Sequence, residues 1–339
     1  VIKEAISTVI AGRDLDEAEM VAVMNEIMSG KATDAQIGSF ITALRMKGET
    51  VAEITGAARV MREKVTRINA ADPGEILVDV VGTGGDASGT FNVSTTSSFV
   101  VAGAGLSVAK HGNRSVSSHC GSADVLEALG VDLNLTAEQI GTCIRSVGIG
   151  FMFAPMLHGA MKYAIGPRRE IGIRTVFNVL GPLTNPAAAN VYLLGVYDPY
   201  LTEPIAQVLK NFEVQRALVV CGEGNIDEMT TTGSTRVSEV HQGQVTTYSM
   251  TPEEVGLARA TLADIKGGET AEASASQVRS VLSGQKGPLR DMVLYNAGAA
   301  IMAAGKANSV KDGVAIAVQV IDSGAASAKL DALVAFCVK

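Results

Sequence analysis

Ile76-Leu77-Val78-Asp79-Val80-Val81-Gly82-Thr83-Gly84-Gly85-Asp86 passes from a short apolar run into a glycine loop. A run of this length, with Asp72-Pro73-Gly74 before it and glycines after it, predicts a buried strand over 76–81. Reading outward from it, helix is expected over 94–104, strand over 106–110, helix over 123–129, and a further helix from Thr136, boxed with Gln139. Strands are expected at 149–153, around Val191 to Tyr197 and at Ala217 to Cys221, then short Thr- and Ser-rich strands within 229–249 and Ala-rich helices to the end. Strands that alternate with helices predict an α/β sheet.

Upstream of residue 72 the pattern is different. Residues 1 to about 66 predict four short helices, three of them opening on capping boxes: Asp16 with Glu19, Thr33 with Gln36, and Thr50 with Glu53. Gly30 and Gly48 fit as helix stops. Met20, Val23, Met24, Ile27 and Met28, with Ile37, Phe40, Ile41 and Leu44, would fill a compact bundle, and a methionine stripe of this kind reads as core or dimer surface. The Arg-rich helical stretch from Tyr163 to Val179 interrupts the strand–helix rhythm and is expected to return to that bundle. The expected fold class is therefore α/β: a small all-helical domain plus a large α/β domain with a central mixed sheet flanked by helices. The expected boundaries are 1–70, joined by about 163–190, for the first, and 71–162 with 191–339 for the second.

Composition narrows the function classes. A chain of 339 residues with 47% apolar content can bury a sizeable core in two domains. Its net charge of -7 argues against an extended nucleic-acid footprint, which needs a basic stripe, so any anion site must be local. Cys120, Cys143, Cys221 and Cys337 are scattered, with neither zinc spacing nor a disulfide pattern, and are read as reduced thiols of a cytoplasmic protein. No apolar run approaches the roughly 20 residues that span a bilayer. The first residue is Val1 and no signal-peptide pattern follows, which leads to the expectation of a trimmed intracellular chain.

Three segments rich in backbone donors, hydroxyls and cations follow apolar runs: Gly82 to Asp86, Asn92-Val93-Ser94-Thr95, and Lys110-His111-Gly112-Asn113-Arg114-Ser115-Val116-Ser117-Ser118. Together they could surround several phosphates. Gly82 to Ala87 formally matches the dinucleotide fingerprint G-x-G-x-x-A, but the next helix is expected only near Asn92, and the following strand ends in Lys110 where a ribose-binding acid should stand. Asn92 suits a helix cap, and an open helix N-terminus also attracts anions. Asp227 and Glu228, after the turn Gly222-Glu223-Gly224-Asn225, could be solvated carboxylates or ligands for Mg²⁺. Asp86 could contact the metal or a sugar hydroxyl. Arg168 follows Gly166-Pro167, and its planar fork would suit a carboxylate.

These segments, with Gly181-Pro182-Leu183-Thr184-Asn185-Pro186 and the Asp227-Glu228 pair, resemble the anthranilate phosphoribosyltransferases in order and over the full length. The resemblance implies the fold shared with pyrimidine nucleoside phosphorylases, in which a helical domain meets an α/β domain across a hinged cleft, in a homodimer formed through the helices. It implies a phosphoribosyl pyrophosphate site built from Gly82, Gly85, Asp86, Thr90, Asn92, Val93, Ser94, Thr95, Lys110, His111, Gly112, Asn113, Arg114, Ser115, Val116, Ser117, Ser118 and Ser122. It further implies two Mg²⁺ ions held by Ser94, Asp227 and Glu228, and anthranilate against Gly82, Asn113 and Arg168, with His111, Pro155, His158, Tyr163 and Pro182 lining its entry.

On this reading Lys110, Asn113 and Arg168 carry the catalysis, no membrane or nucleic acid is a partner, and no glutaminase domain is fused, because the helical domain starts at residue 2. A pyrimidine nucleoside phosphorylase would carry glycine where Asn113 and the serines stand, and would lack the Asp227-Glu228 pair. A non-enzymatic nucleic-acid-binding relative would show a basic groove and lost site residues.

Overall fold

The computed structural model describes residues 1–85, 88–115 and 120–338. In chain order the elements are α1 (Ile2–Ile10), α2 (Glu17–Met28), α3 (Asp34–Lys47), α4 (Val51–Lys64), β1 (Leu77–Gly82), α5 (Val93–Gly103), β2 (Ser107–Gly112), α6 (Ser122–Ala128), α7 (Ala137–Val147) and β3 (Ile149–Phe153). They continue as α8 (Ala154–Leu157), α9 (Ile165–Ile171), α10 (Phe177–Leu180), β4 (Val191–Gly195), α11 (Thr202–Asn211), β5 (Arg216–Gly222), β6 (Thr235–His241) and β7 (Gln244–Met250). Four helices close the chain: α12 (Ala271–Leu282), α13 (Pro288–Ala303), α14 (Val310–Asp322) and α15 (Ala325–Cys337). No helix among the described residues is long and apolar enough to cross a membrane.

Two compact units result, Val1–Thr66 with Pro155–Pro186, and Arg67–Ala154 with Ala187–Lys339. In the helical unit the three capping boxes expected at Asp16, Thr33 and Thr50 are all formed. Each satisfies backbone donors that a helix start leaves open. The third box does more than cap. Glu53 is fully buried, and besides the Thr50 amide it accepts from the Leu15 amide and from Lys47 Nζ, the last at 3.0 Å. One carboxylate thus ties α3, α4 and the α1–α2 connection together.

The second unit is built on a seven-stranded sheet in the order β3-β2-β1-β4-β5-β6-β7. The strands from β3 to β5 are parallel, and β6 and β7 add an antiparallel hairpin, which is the expected mixed sheet. From β1 the chain crosses to β2 on one side, and from β4 to β5 on the other, so the strand order reverses between β1 and β4. In open α/β sheets, ligands bind at the carboxyl ends of strands beside such a reversal. Those ends here are Gly82, Gly112, Gly195 and Gly222. Below them, Val78, Val80, Val108, Leu193 and Val220 join Val100, Val101 and the buried helix α13 in one apolar core.

Removing the Glu53 carboxylate leaves the amides of Leu15 and Thr50 without their acceptor and Lys47 with the exposed Asp14 as its remaining acid partner. Glu53→Ala is therefore expected to destabilise the helical unit by about 3 kcal/mol, whereas Glu53→Gln, which keeps an acceptor, should lose less. Equilibrium urea unfolding checks this, and an unchanged midpoint for Glu53→Ala would contradict it.

Candidate active site

At the end of β1, Gly84 and Gly85 have positive φ, a turn that glycine adopts at little cost. The Gly84 amide donates to Asp227 Oδ2 at 2.6 Å. A side chain at Gly82 or Gly195 would collide with Asp227: a Cβ on Gly82 would lie 2.4 Å from its Oδ2, and one on Gly195 only 1.5 Å from its carbonyl oxygen. Glycine at the two strand ends thus admits Asp227 into the strand-order reversal. The loop is pinned on both flanks. Ile226 and Gly222 exchange backbone hydrogen bonds, and Asn296 of α13 clamps Met229 by accepting from its amide at 2.9 Å and donating to its carbonyl at 2.8 Å.

The helix that follows β1 starts at Val93, as expected, but Asn92 does not cap it. Its side-chain amide donates instead to the Cys120 carbonyl at 3.0 Å. The start of α5 is thus an uncapped, positively polarised helix terminus beside the glycine loop. The Thr95 hydroxyl there, and that of Thr83 in the loop, are buried with no hydrogen-bond partner among the described residues. Buried hydroxyls without partners are costly, and a ligand rich in oxygens would satisfy them.

Lys110 is 3% exposed, and its ammonium donates to the Val80 carbonyl at 2.7 Å and to Ser94 Oγ at 3.3 Å. Burial pushes it below the ordinary lysine value, while the charges of Asp79, Glu228 and Asp227 pull it back up. Glu228 Oε2 also lies 3.4 Å from the Thr90 hydroxyl. The Lys110 ammonium thus touches the Ser94 hydroxyl and feels the charges of Glu228 and Asp227. Among the described residues no group of three or more His, Cys, Asp or Glu side chains could hold a metal. Two carboxylates and a hydroxyl instead suit Mg²⁺, which keeps waters and takes phosphate oxygens for its remaining positions.

The loop after β2 divides its residues. Asn113 Oδ1 accepts from the Arg114 amide, and its carbonyl accepts from the Ala123 amide at 3.2 Å. The Arg114 guanidinium turns to Asp124 and Glu127, both at 2.8 Å, and packs over the Phe153 ring. Its charge thereby fastens the loop to α6, and it is the Arg114 backbone that stays with the loop. The Ser115 amide donates to Asp124 Oδ2 as well, and Ser122 opens α6. Gly112 and His111 end β2, with His111 buried. Asp86, Val116, Ser117 and Ser118 lie outside the described residues.

In the helical unit Arg168 is half-buried with its guanidinium 5.2 Å from the centre of the Phe177 ring. Burial alone pushes its pKa down, and no carboxylate among the described residues offsets it. A guanidinium so placed favours an incoming anion. His158 is buried and pushed down to about 4, so it is neutral near pH 7. Pro182 is buried, Pro155 is exposed, and Tyr163 is 37% exposed with Lys162 Nζ 4.9 Å from its ring centre.

Residue-by-residue reading of the sequence missed Asp79, Gly195 and Asn296. A lone carboxylate within the apolar run 76–81 was a visible signal for the first, and a glycine ending a predicted strand for the second. Nothing in the α13 sequence marks Asn296.

The sequence matches the glycosyl transferase family, helical bundle domain, over residues 3–65 and the glycosyl transferase family, a/b domain, over residues 74–327. It is 61% identical to the anthranilate phosphoribosyltransferase of Desulfotalea psychrophila across 99% of this chain and 97% of that one. It is 56% identical to that of Moorella thermoacetica across 99% and 98%. Among solved structures, anthranilate phosphoribosyltransferase from Thermus thermophilus superposes with a TM-score of 0.93 at 46% identity, covering 99% of both chains. The Saccharomyces cerevisiae enzyme in complex with phosphoribosyl pyrophosphate and Mg superposes at 0.88 with 25% identity, covering 99% of this chain and 98% of that one. With the site geometry and full-length identity in agreement, the chain belongs to the anthranilate phosphoribosyltransferase family.

Proposed function

We propose that the protein transfers the 5-phosphoribosyl group of phosphoribosyl pyrophosphate to the amine of anthranilate, giving N-(5-phosphoribosyl)anthranilate and pyrophosphate in tryptophan biosynthesis. The observation that carries this is the convergence of Asp227, Glu228, Ser94 and Lys110 on the glycine loop at the strand-order reversal. A pyrimidine nucleoside phosphorylase is the less favoured reading, since relatives named for the transferase match the whole chain.

In this reaction the bond between the anomeric carbon and pyrophosphate breaks with its electron pair on oxygen, the anthranilate nitrogen forms the new bond to that carbon, and the nitrogen loses a proton. The leaving group accumulates negative charge, so the chain's contribution is to hold that charge and orient the amine. The uncapped start of α5 and the hydroxyls of Thr83 and Thr95, buried without a partner among the described residues, support a pyrophosphate position there. Gly82, Gly85, Asp86, Thr90, Asn92, Val93 and the segment from Lys110 through Ser118 to Ser122 belong to the same assignment. Arg114 would contribute its backbone to it.

Ser94, Asp227 and Glu228 would hold Mg²⁺, assigned as two ions, which when bound neutralise the charge growing on the leaving oxygens. Yeast relatives solved in complex with phosphoribosyl pyrophosphate and Mg, and with 4-fluoroanthranilate, support these ligands. Arg168, held over Phe177 with no acid partner among the described residues, is assigned to the anthranilate carboxylate, with neutral His158, Tyr163 and Pro182 near the acceptor. The same reading includes a homodimer through the helical unit, supported by the exposed Ile10 and Met46 on α1 and α3, and a cytoplasmic setting, supported by four cysteines present as thiols.

Purified protein given phosphoribosyl pyrophosphate and Mg²⁺ should consume anthranilate fluorescence, and excess EDTA should stop it. Undiminished turnover in EDTA would sink the metal assignment. Arg168→Ala should raise KM for anthranilate by about 10²-fold while leaving KM for phosphoribosyl pyrophosphate nearly unchanged. Asp227→Asn with Glu228→Gln should instead lower kcat by about 10²-fold or more and raise the Mg²⁺ requirement. Steady-state kinetics with each substrate varied separates the two patterns, and a reversed pattern would mean that the roles are exchanged.

A further inference from the structure

The seam between β1 and β2 is interrupted where the site begins. β1 pairs with β4 through to Gly82↔Gly195, and β2 with β3 through to Gly112↔Phe153, but β1 and β2 pair only at Leu77↔Ser107 and Val78↔Val108. The alternation of a parallel ladder shows which bonds are missing. The Val108 amide donates to Gly148, on the β3 side, so the amides of Ala109 and His111 face β1. The Leu77 carbonyl accepts from the Asn190 amide, on the β4 side, so the carbonyls of Val78 and Val80 face β2. A continuing ladder would join the Val80 amide to the Ala109 carbonyl and then the His111 amide to the Val80 carbonyl.

Two side chains stand in its place. The His111 amide donates to Asp79 Oδ1 at 3.3 Å, and the Val80 carbonyl accepts from Lys110 Nζ at 2.7 Å. Asp79 is fully buried and Lys110 is 3% exposed. A carboxylate in an apolar strand is tolerated only with such partners. We propose that Asp79 is a positioning residue: its carboxylate on the His111 amide and the Lys110 ammonium on the Val80 carbonyl form a charged wedge that interrupts the ladder, parts β1 from β2 at their carboxyl ends, and favours Lys110 at Ser94 so that the crevice can take phosphoribosyl pyrophosphate. The assignment rests on the functional reading above. Asp79 contributes the largest of the carboxylate attractions on Lys110, ahead of Glu228 and Asp227. Without it the ammonium would be drawn to those two carboxylates and would compete there with any cation brought by the substrate.

The test measures phosphoribosyl pyrophosphate binding by calorimetry, in the presence of Mg²⁺ and without anthranilate, beside the melting temperature, for Asp79→Asn, Lys110→Met and the double variant. Asp79→Asn keeps the amide acceptor and removes the charge. It is expected to weaken binding about tenfold, and to add no further loss in the Lys110→Met background, because it acts through Lys110. The double variant removes both charges and should melt higher than Asp79→Asn alone, so the wedge remains testable if that single variant folds poorly. Unchanged affinity in Asp79→Asn, an equal further loss in the Lys110→Met background, or a double variant that melts below both singles would overturn the wedge. A parent protein that does not bind phosphoribosyl pyrophosphate would instead overturn the functional reading and this assignment with it.

Discussion

A buried ammonium organises this site. Placing Lys110 inside the sheet costs several kcal/mol unless oxygen atoms surround it. The oxygens come from segments far apart in the chain: the Val80 carbonyl on β1, the Ser94 hydroxyl at the start of α5, and the charges of Asp79, Asp227 and Glu228. Each of those segments must therefore arrive in register for the cation to be stable. The same requirement gathers a hydroxyl and carboxylates of the kind that suit Mg²⁺ beside an uncapped helix start.

The second constraint is steric. Asp227 reaches the strand-order reversal because Gly82 and Gly195 have no side chains there, and its loop keeps its path because Asn296 of the buried helix α13 holds both polar groups of the Met229 backbone. Sheet, glycine loop and the Asp227-Glu228 segment are thus one packed object. The site's precision is inherited from core elements rather than from long surface loops.

What the sequence made legible follows from the range of the forces involved. Capping boxes at Asp16, Thr33, Thr50 and Thr136 are local, three residues apart, and each forms as read. The helix start near Asn92 was legible too, but its cap was not, because the Asn92 amide goes to Cys120, 28 residues away. Arg114 looked like a phosphate ligand from its neighbours in sequence. Its acids, Asp124 and Glu127, lie on the next helix, where only the fold brings them into reach. The strand 76–81 was legible as apolar, and its one carboxylate takes on meaning only once Lys110 of the neighbouring strand is beside it.

In the proposed function Ser94, Asp227 and Glu228 serve one metal-assisted phosphoribosyl pyrophosphate site beside Lys110. Anomalous scattering from crystals grown with phosphoribosyl pyrophosphate and Mn²⁺ tests it most directly. The account predicts a metal peak shared by oxygens of those three side chains and of the pyrophosphate, with Lys110 still donating to Ser94. A metal peak elsewhere, or pyrophosphate bound with Asp227 and Glu228 turned away from any cation, would contradict it.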